Sequence, residues 1–297
     1  PSRCDLMDPI VFLDYRCHPP SGGNATALVT AFCSASPILA VGNTSSQIVF
    51  FGDEGVADSS AVVNTDSLPA ALEWKPATKA LAVGLEDGRV ELISYKEGSA
   101  TTISANTTIH SSKITFMIWS PDGSRLVTGD MSGICCVWKA SAHGLSPSVQ
   151  YKKPSALTCA CFTNGSRGLT PAFFFGSESG TVSYADDLGH CTDVQSLSSC
   201  IDCLMFYEGK SRLVIVTRSL LMTQIQVNED GRVTPVMKVK LSVAGDASSR
   251  GVREVCWAGP GLMAAACGEN MVRFWDLAKD ENYVLTLSSA GLKRSER

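Results

Sequence analysis

Charge is scarce in this 297-residue chain: 25 Lys and Arg face 29 Asp and Glu, 18% of the residues in all, for a net charge of −4. Basic residues do not cluster beyond Lys152-Lys153 and the tail Lys293-Arg294-Ser295-Glu296-Arg297. The positive footprint of a nucleic-acid binder is therefore missing. No apolar run approaches the roughly 18–20 residues that a membrane-spanning helix needs. Catalytic signatures are missing too: there is no Walker-type phosphate loop, no His-Glu-x-x-His and no dinucleotide fingerprint ahead of a helix. Gly176-Ser177-Glu178-Ser179-Gly180 has the glycines of a hydrolase nucleophile elbow but Glu at its centre, and reads as a hairpin turn. At 44% hydrophobic the chain is globular, and the expectation is a non-catalytic protein with no cofactor and no metal. It begins at Pro1 and ends in a polar tail, which reads as a fragment of a longer protein.

Twelve cysteines are too few for a disulfide scaffold of this length. Cys135, Cys136, Cys159, Cys161, Cys203, Cys256 and Cys267 lie inside strand-like runs, the places of small core hydrophobes, so reduced cytosolic thiols are expected. Four Asn-x-Ser/Thr sequons, at Asn24, Asn43, Asn106 and Asn164, keep a secreted glycoprotein as the alternative. Cys200-x-x-Cys203 would suit zinc only if Cys200 precedes the strand that Ile201–Phe206 suggests, because strand residues three apart face opposite ways. Cys159 and Cys161 share a face with Leu157 and read as packing. Asp186, Asp187, His190 and Asp193 form an acidic loop, read as a solvated turn region.

What the chain does have is a period. A short apolar run ending in Gly is followed, six to nine residues later, by an aromatic or aliphatic closing residue. The clearest copies run from Leu126-Val127-Thr128-Gly129 to Val137-Trp138 and from Ala266-Cys267-Gly268 to Phe274-Trp275-Asp276. Others anchor at Gly42, Gly84 and Gly176, and a sixth, at Thr217, has lost the glycine. Successive anchors fall 42, 45, 47, 41 and 51 residues apart. A repeat of roughly 40–50 residues built from short strands marks the blades of a β-propeller.

The third copy shows the grammar. Ile114–Trp119 is a strand rich in β-branched and aromatic residues. Ser120-Pro121-Asp122-Gly123 turns the chain, Arg125–Gly129 is a second strand, Asp130-Met131-Ser132-Gly133 a hairpin turn, and Ile134–Trp138 a third strand. A fourth is expected after His143 and Gly144. No such sheet buries both faces alone, so stability must be collective. Six blades are expected, at approximately 24–52, 68–98, 110–140, 152–189, 197–231 and 248–287, in a single propeller spanning 1–297. Residues 9–16 read as an additional strand. With Tyr283–Leu287 as the sixth blade's outer strand, the reading is an all-β, WD40-type propeller whose parent has seven blades.

These repeats resemble the WD family, in which a Gly-His pair opens a blade and Trp-Asp closes its third strand. Trp275-Asp276 is a literal match, Trp138-Lys139 keeps the Trp, and His110 stands 28 residues ahead of Trp138, where the family's histidine falls. In the family a turn Asp, that His, a strand Ser/Thr and the Trp form a buried network. Here the turn Asp survives as Asp87 in the second blade, while Ser132 and Ser179 take its place in the third and fourth. On that alignment the network is incomplete in every blade.

Two further segments, Pro235–Ser242 and Val272–Leu285, are similar to the N-terminal propeller of the intraflagellar transport protein 140 family, with agreement running from about Phe12 to Leu285. The family's longer insertion is absent at Asn164–Thr170. This resemblance implies a scaffold propeller of a subunit of intraflagellar transport complex A, acting in retrograde ciliary transport and ciliary import of membrane proteins. It also implies a location at cilium or flagellum, basal body and cytoplasm. The partners so implied are other complex A subunits and ciliary cargo adaptors, with peripheral closeness to membrane and no insertion. The alternative is a WD adaptor binding peptides in another trafficking or coat complex. Asp87, His110, Trp138, Trp275 and Asp276 are the structural WD-type positions. Lys238 and Lys240, alternating with apolar Val239 and Leu241, are read as a partner contact on an outer strand.

Overall fold

The computed structural model describes residues 25–106, 109–163, 172–228, 232–240, 254–259, 261–266, 271–279 and 281–286. They form six four-stranded antiparallel sheets, each a meander of strands consecutive in sequence. The first comprises β1 (Ala27–Phe32), β2 (Leu39–Asn43), β3 (Gln47–Phe51) and β4 (Val63–Asn64). The second comprises β5 (Pro69–Trp74), β6 (Ala80–Leu85), β7 (Val90–Lys96) and β8 (Ser99–Asn106). In the third are β9 (Ile114–Trp119), β10 (Arg125–Asp130), β11 (Ile134–Ser141) and β12 (Gly144–Lys152), and in the fourth β13 (Leu157–Phe162), β14 (Phe173–Ser177), β15 (Thr181–Ala185) and β16 (Cys191–Ser196). The fifth has β17 (Ile201–Tyr207), β18 (Arg212–Thr217), β19 (Leu221–Val227) and β20 (Val233–Lys240), and the sixth β21 (Glu254–Gly259), β22 (Leu262–Ala266), β23 (Met271–Asp276) and β24 (Glu281–Thr286). This is the propeller architecture that the period predicts.

The core is not one cluster but five seams. Sheets one and two meet through Phe50, Leu72, Trp74 and Ile93. The next seam joins Leu92 to Met117, Trp119 and Trp138. Val127 and Val137 then meet Leu157 and Phe173, Phe174 meets Leu204 and Ile215, and Met205 and Val216 meet Met263 and Leu277. The second to fifth sheets thus bury both faces against neighbours, which an isolated blade cannot do.

The anchor glycines of the period mark where the next blade's inner strand crosses. A Cβ on Gly42 would lie 2.6 Å from the Pro69 side chain, one on Gly84 2.6 Å from Ile114, and one on Gly176 2.7 Å from Ile201. Pro69, Ile114 and Ile201 each begin an inner strand, so the missing side chain is what lets successive blades approach closely.

Each inner strand carries an aromatic at one register, at or near its end. Phe32, Trp74, Trp119, Phe162, Phe206 and Trp257 pair with Leu39, Leu81, Leu126, Phe173, Leu213 and Met263. Two of them latch onto the preceding blade: the Trp74 indole N–H donates to the Ala31 carbonyl at 3.0 Å, and that of Trp119 to the Glu73 carbonyl at 3.2 Å. Phe32, the first of the series, is 58% exposed against 6% and 7% for those two tryptophans.

The expected strand at 9–16, the connection at 164–170 and Cys267 and Gly268 lie outside the described residues. The nine described cysteines are all free thiols. Asn43 is buried, and its side-chain oxygen accepts the N–H groups of Ser45 and Gln47 at 2.9 and 3.1 Å, which closes that sequon to a glycan in the folded chain.

Candidate functional site

The hairpin turn joining the second and third strands has the same build in five sheets. Its first residue is Asn43, Leu85, Asp130, Ser177 or Thr217, and that carbonyl accepts the N–H of the residue three on. This residue takes a positive φ: Ser46, Gly88, Gly133, Gly180 and Leu220. Where the first residue has a polar side chain, its oxygen accepts the N–H four residues on, as Asn43 does from Gln47, Asp130 from Ile134, Ser177 from Thr181 and Thr217 from Leu221. Such side-chain acceptors are why Asx and hydroxyl residues favour turns.

In the third sheet this turn opens onto a complete buried chain of hydrogen bonds. The Trp138 indole N–H donates to Thr128 Oγ1 at 2.8 Å. The Thr128 hydroxyl in turn donates to His110 Nε2 at 2.8 Å, and His110 Nδ1–H donates to Asp130 Oδ2 at 2.8 Å. The remaining oxygen, Asp130 Oδ1, accepts from the Ser132 hydroxyl at 2.8 Å and the Ile134 N–H at 2.9 Å. An ionised carboxylate only accepts, so Nδ1 is the donor to Asp130; burial keeps the imidazole neutral, which leaves Nε2 to accept from the Thr128 hydroxyl. The His110 and Asp130 side chains have no solvent exposure. Burial pushes the His110 pKa below its ordinary 6.5, against the Asp130 hydrogen bond and charge that favour protonation. Burial also opposes the charge on Asp130, but hydrogen bonds from Ile134, His110 and Ser132 prevail and hold its carboxyl below the usual range. With Nε2 committed to Thr128 and the pair sealed, the arrangement orders the blade and presents no base to a substrate.

This corrects the alignment made from sequence. The network is whole in the third blade, and its carboxylate comes from Asp130, directly after the anchor Gly129. Asp87 and Ser132 sit two residues further into the turn. Asp87 is exposed, pairs with Arg89 at 2.7 Å and accepts that residue's N–H. The hydroxyl of its counterpart Ser132 donates to Asp130 rather than standing in for the carboxylate. The available signal was the residue after each anchor, an aspartate in the third repeat alone.

The literal Trp-Asp pair does less. Trp275 is half-buried in the seam of sheets five and six, and Asp276 Oδ1 accepts the N–H groups of Ala278 and Lys279 at 3.0 and 3.1 Å, capping a turn. Lys238 and Lys240 both lie exposed on the outer strand β20, where Lys240 Nζ donates to the Ser219 carbonyl. Lys152 does the same to the Ser132 carbonyl in the third sheet, at 2.6 Å.

The acidic loop does not converge. His190 Nδ1 meets Asp186 Oδ2 at 2.7 Å, Asp187 reaches back to Arg125 of the third sheet at 2.8 Å, and Asp193 holds Lys153 at 2.5 Å. A groove of about 570 Å³ beside it is lined by Tyr184, His190, Cys191, Val194, Arg232 and Val233. Cys200 does precede β17, but among the described residues no group of three or more His, Cys, Asp or Glu is placed to hold a metal ion. Burial raises the Cys159 and Cys161 thiols far out of the reactive range.

Among solved structures, the crystal structure of the Saccharomyces cerevisiae protein Sqt1 is similar at 13% identity and a TM-score of 0.69, with 86% of this chain and 72% of that one covered. At that identity the likeness shows the fold alone. The profile described as the IFT140 first beta-propeller matches residues 10–169 and again 148–297. Those two matches span nearly the whole chain, which therefore belongs to the IFT140 first beta-propeller family, the propeller of an intraflagellar transport complex A subunit.

Proposed function

We propose that this propeller is a non-catalytic scaffold that holds other complex A subunits and ciliary cargo adaptors for retrograde transport and for import of membrane proteins into the cilium. The observation that carries this reading is the family match over residues 10–169 and 148–297. The sealed His110–Asp130 pair supports it, since the most base-like constellation in the chain serves the fold. The working surface is then the outer strands and turns. Among the described residues Lys238 has no partner, which makes it the cation available to the proposed contact on β20, whereas Lys240 is tied to the Ser219 carbonyl. The protein works at the cilium and basal body and is drawn from a cytoplasmic pool, close to membrane without entering it.

Affinity capture from ciliated cells expressing the tagged chain tests this. Recovery of other complex A subunits under mild lysis is the expected result. Recovery of none, with the folded chain present on the resin, would overturn it.

A further inference from the structure

The second sheet holds a carboxyl that the fold does not use. Glu91, on β7, is 8% exposed. Among the described residues it has no hydrogen-bond or ion-pair partner. It pairs with Val83 across the sheet, and the matching positions of the other five sheets hold Val49, Cys136, Ser183, Thr223 and Arg273. Glu91 is the sole carboxyl of the set. A carboxylate taken out of water without a partner costs stability, and a residue that breaks the local rule of its position is expected where function offsets that cost.

Its surroundings show where it faces. Val90 and Leu92 pack toward sheet three and Ile93 toward sheet one, so Glu91 faces sheet one. On that side the outer part of the seam is thin. The strand β4 has two residues, against six to nine in the other outer strands, and Ala105, beside Glu91 on β8, is small and exposed. Next to this crevice Arg89 bridges Asp66 at 2.5 Å and Asp87 at 2.7 Å, and Lys113 pairs with Glu86 at 2.9 Å. Four carboxyls thus stand against two cations, and both cations are engaged. Arg89, Asp66 and Asp87 are the charges that act on Glu91: burial pushes its pKa up, Arg89 opposes this and the two aspartates add to it. The negative surplus and the orphaned carboxyl lie together.

We propose that this crevice binds a basic segment of a partner protein, one arginine of which reaches Glu91 while the flanking chain lies along Asp66 and Asp87. Charge complementarity selects this occupant, because the surface is short of positive charge and the buried group lacks a counter-ion. A metal ion does not fit, since among the described residues no three acidic, His or Cys side chains are placed to hold one. Arginine suits the place better than lysine: guanidinium is more weakly hydrated and meets a carboxylate with two parallel N–H groups. The site is separate from Lys238 on β20, and it stands whether or not the propeller's partners are complex A subunits.

Fluorescence anisotropy of the full chain with a capped, labelled Gly/Ser peptide that carries arginines tests this. Saturable binding is expected. Glu91→Gln should weaken it at least about tenfold, the scale of losing one side of a buried charge pair. The same variant should melt no lower than the wild type, because it removes an unpaired buried charge, so unfolding cannot account for the lost binding. Glu54→Gln, which takes the same charge from the exposed turn between β3 and β4, should bind as the wild type does. Absence of saturable binding would overturn the proposal. So would unchanged binding by Glu91→Gln, which would leave Glu91 a matter of packing alone. Equal weakening by Glu54→Gln would overturn it as well, because the peptide would then be responding to net charge and not to this crevice.

Discussion

Trp119 in the third sheet and Phe32 in the first occupy the same place in the repeat, and their surroundings differ completely. Trp119 lies in a closed seam, its indole N–H on the Glu73 carbonyl and the Lys75 ammonium 5.7 Å over its ring. Phe32 ends an equivalent strand with more than half its surface open. The burial a residue obtains in this fold comes from the preceding blade, not from its own strand. A repeat protein of this kind distributes its stability over interfaces, so equivalent substitutions should differ in cost according to the blade that stands beside them.

The largest effect is expected where the seam and the hydrogen-bond chain coincide. Trp138 is fully buried between the second and third sheets and donates to Thr128. Trp138→Ala should therefore cost about 3–5 kcal/mol in denaturant unfolding; an unchanged midpoint would contradict the placement. Thr128→Val keeps the shape and removes the central oxygen. It leaves the Trp138 N–H and His110 Nε2 without partners, at roughly 1–3 kcal/mol for a buried group so orphaned.

How much of this was legible in the sequence follows from which residues act locally. The period, the six sheets and the order of strands could be read because anchor glycines and turn formers impose their geometry within a few residues. The buried chain could not be read in full. Asp87 and Ser132 sit at the third position of their turns and Asp130 at the first, and where the chain reverses the alternation of a strand no longer tells which side chain points inward. That Asp130 faces His110 depends on a contact twenty residues away in sequence, between a loop and a strand end. The exposed Phe32 was equally hidden, because Phe32 and Trp119 look alike as strand-ending aromatics and only the neighbouring blade separates them.

Acid separates the third sheet from the second. His110 and Asp130 both have folded pKa values below their ordinary ones. The contribution of His110 is therefore complete above its ordinary 6.5 and is lost as pH falls below it, while that of Asp130 persists down to its ordinary 3.8 and is lost below. Glu73, on the inner strand β5, has the opposite sign: burial raises its carboxyl to about 7 from 4.5. Its contribution is present at low pH and fades as pH climbs through that interval. Urea midpoints measured from pH 5 to 8 should show a shallower acid limb in His110→Gln. Glu73→Gln should gain on the wild type toward pH 8. If both variants ran parallel to the wild type, neither group would be titrating as its surroundings dictate.

The smallest expected effect is the sharpest test of the comparison. Phe32→Ala removes as much side chain as many core truncations do, yet in dilute solution it should shift unfolding by less than about 0.5 kcal/mol, the range of ordinary surface changes. The matched truncation Trp74→Ala, at the same register one blade on, should cost several times more, because Trp74 is enclosed and latched to Ala31. A cost already present in dilute chain would mean that something within the same molecule covers the ring, and the distinction between the first blade and the third would collapse.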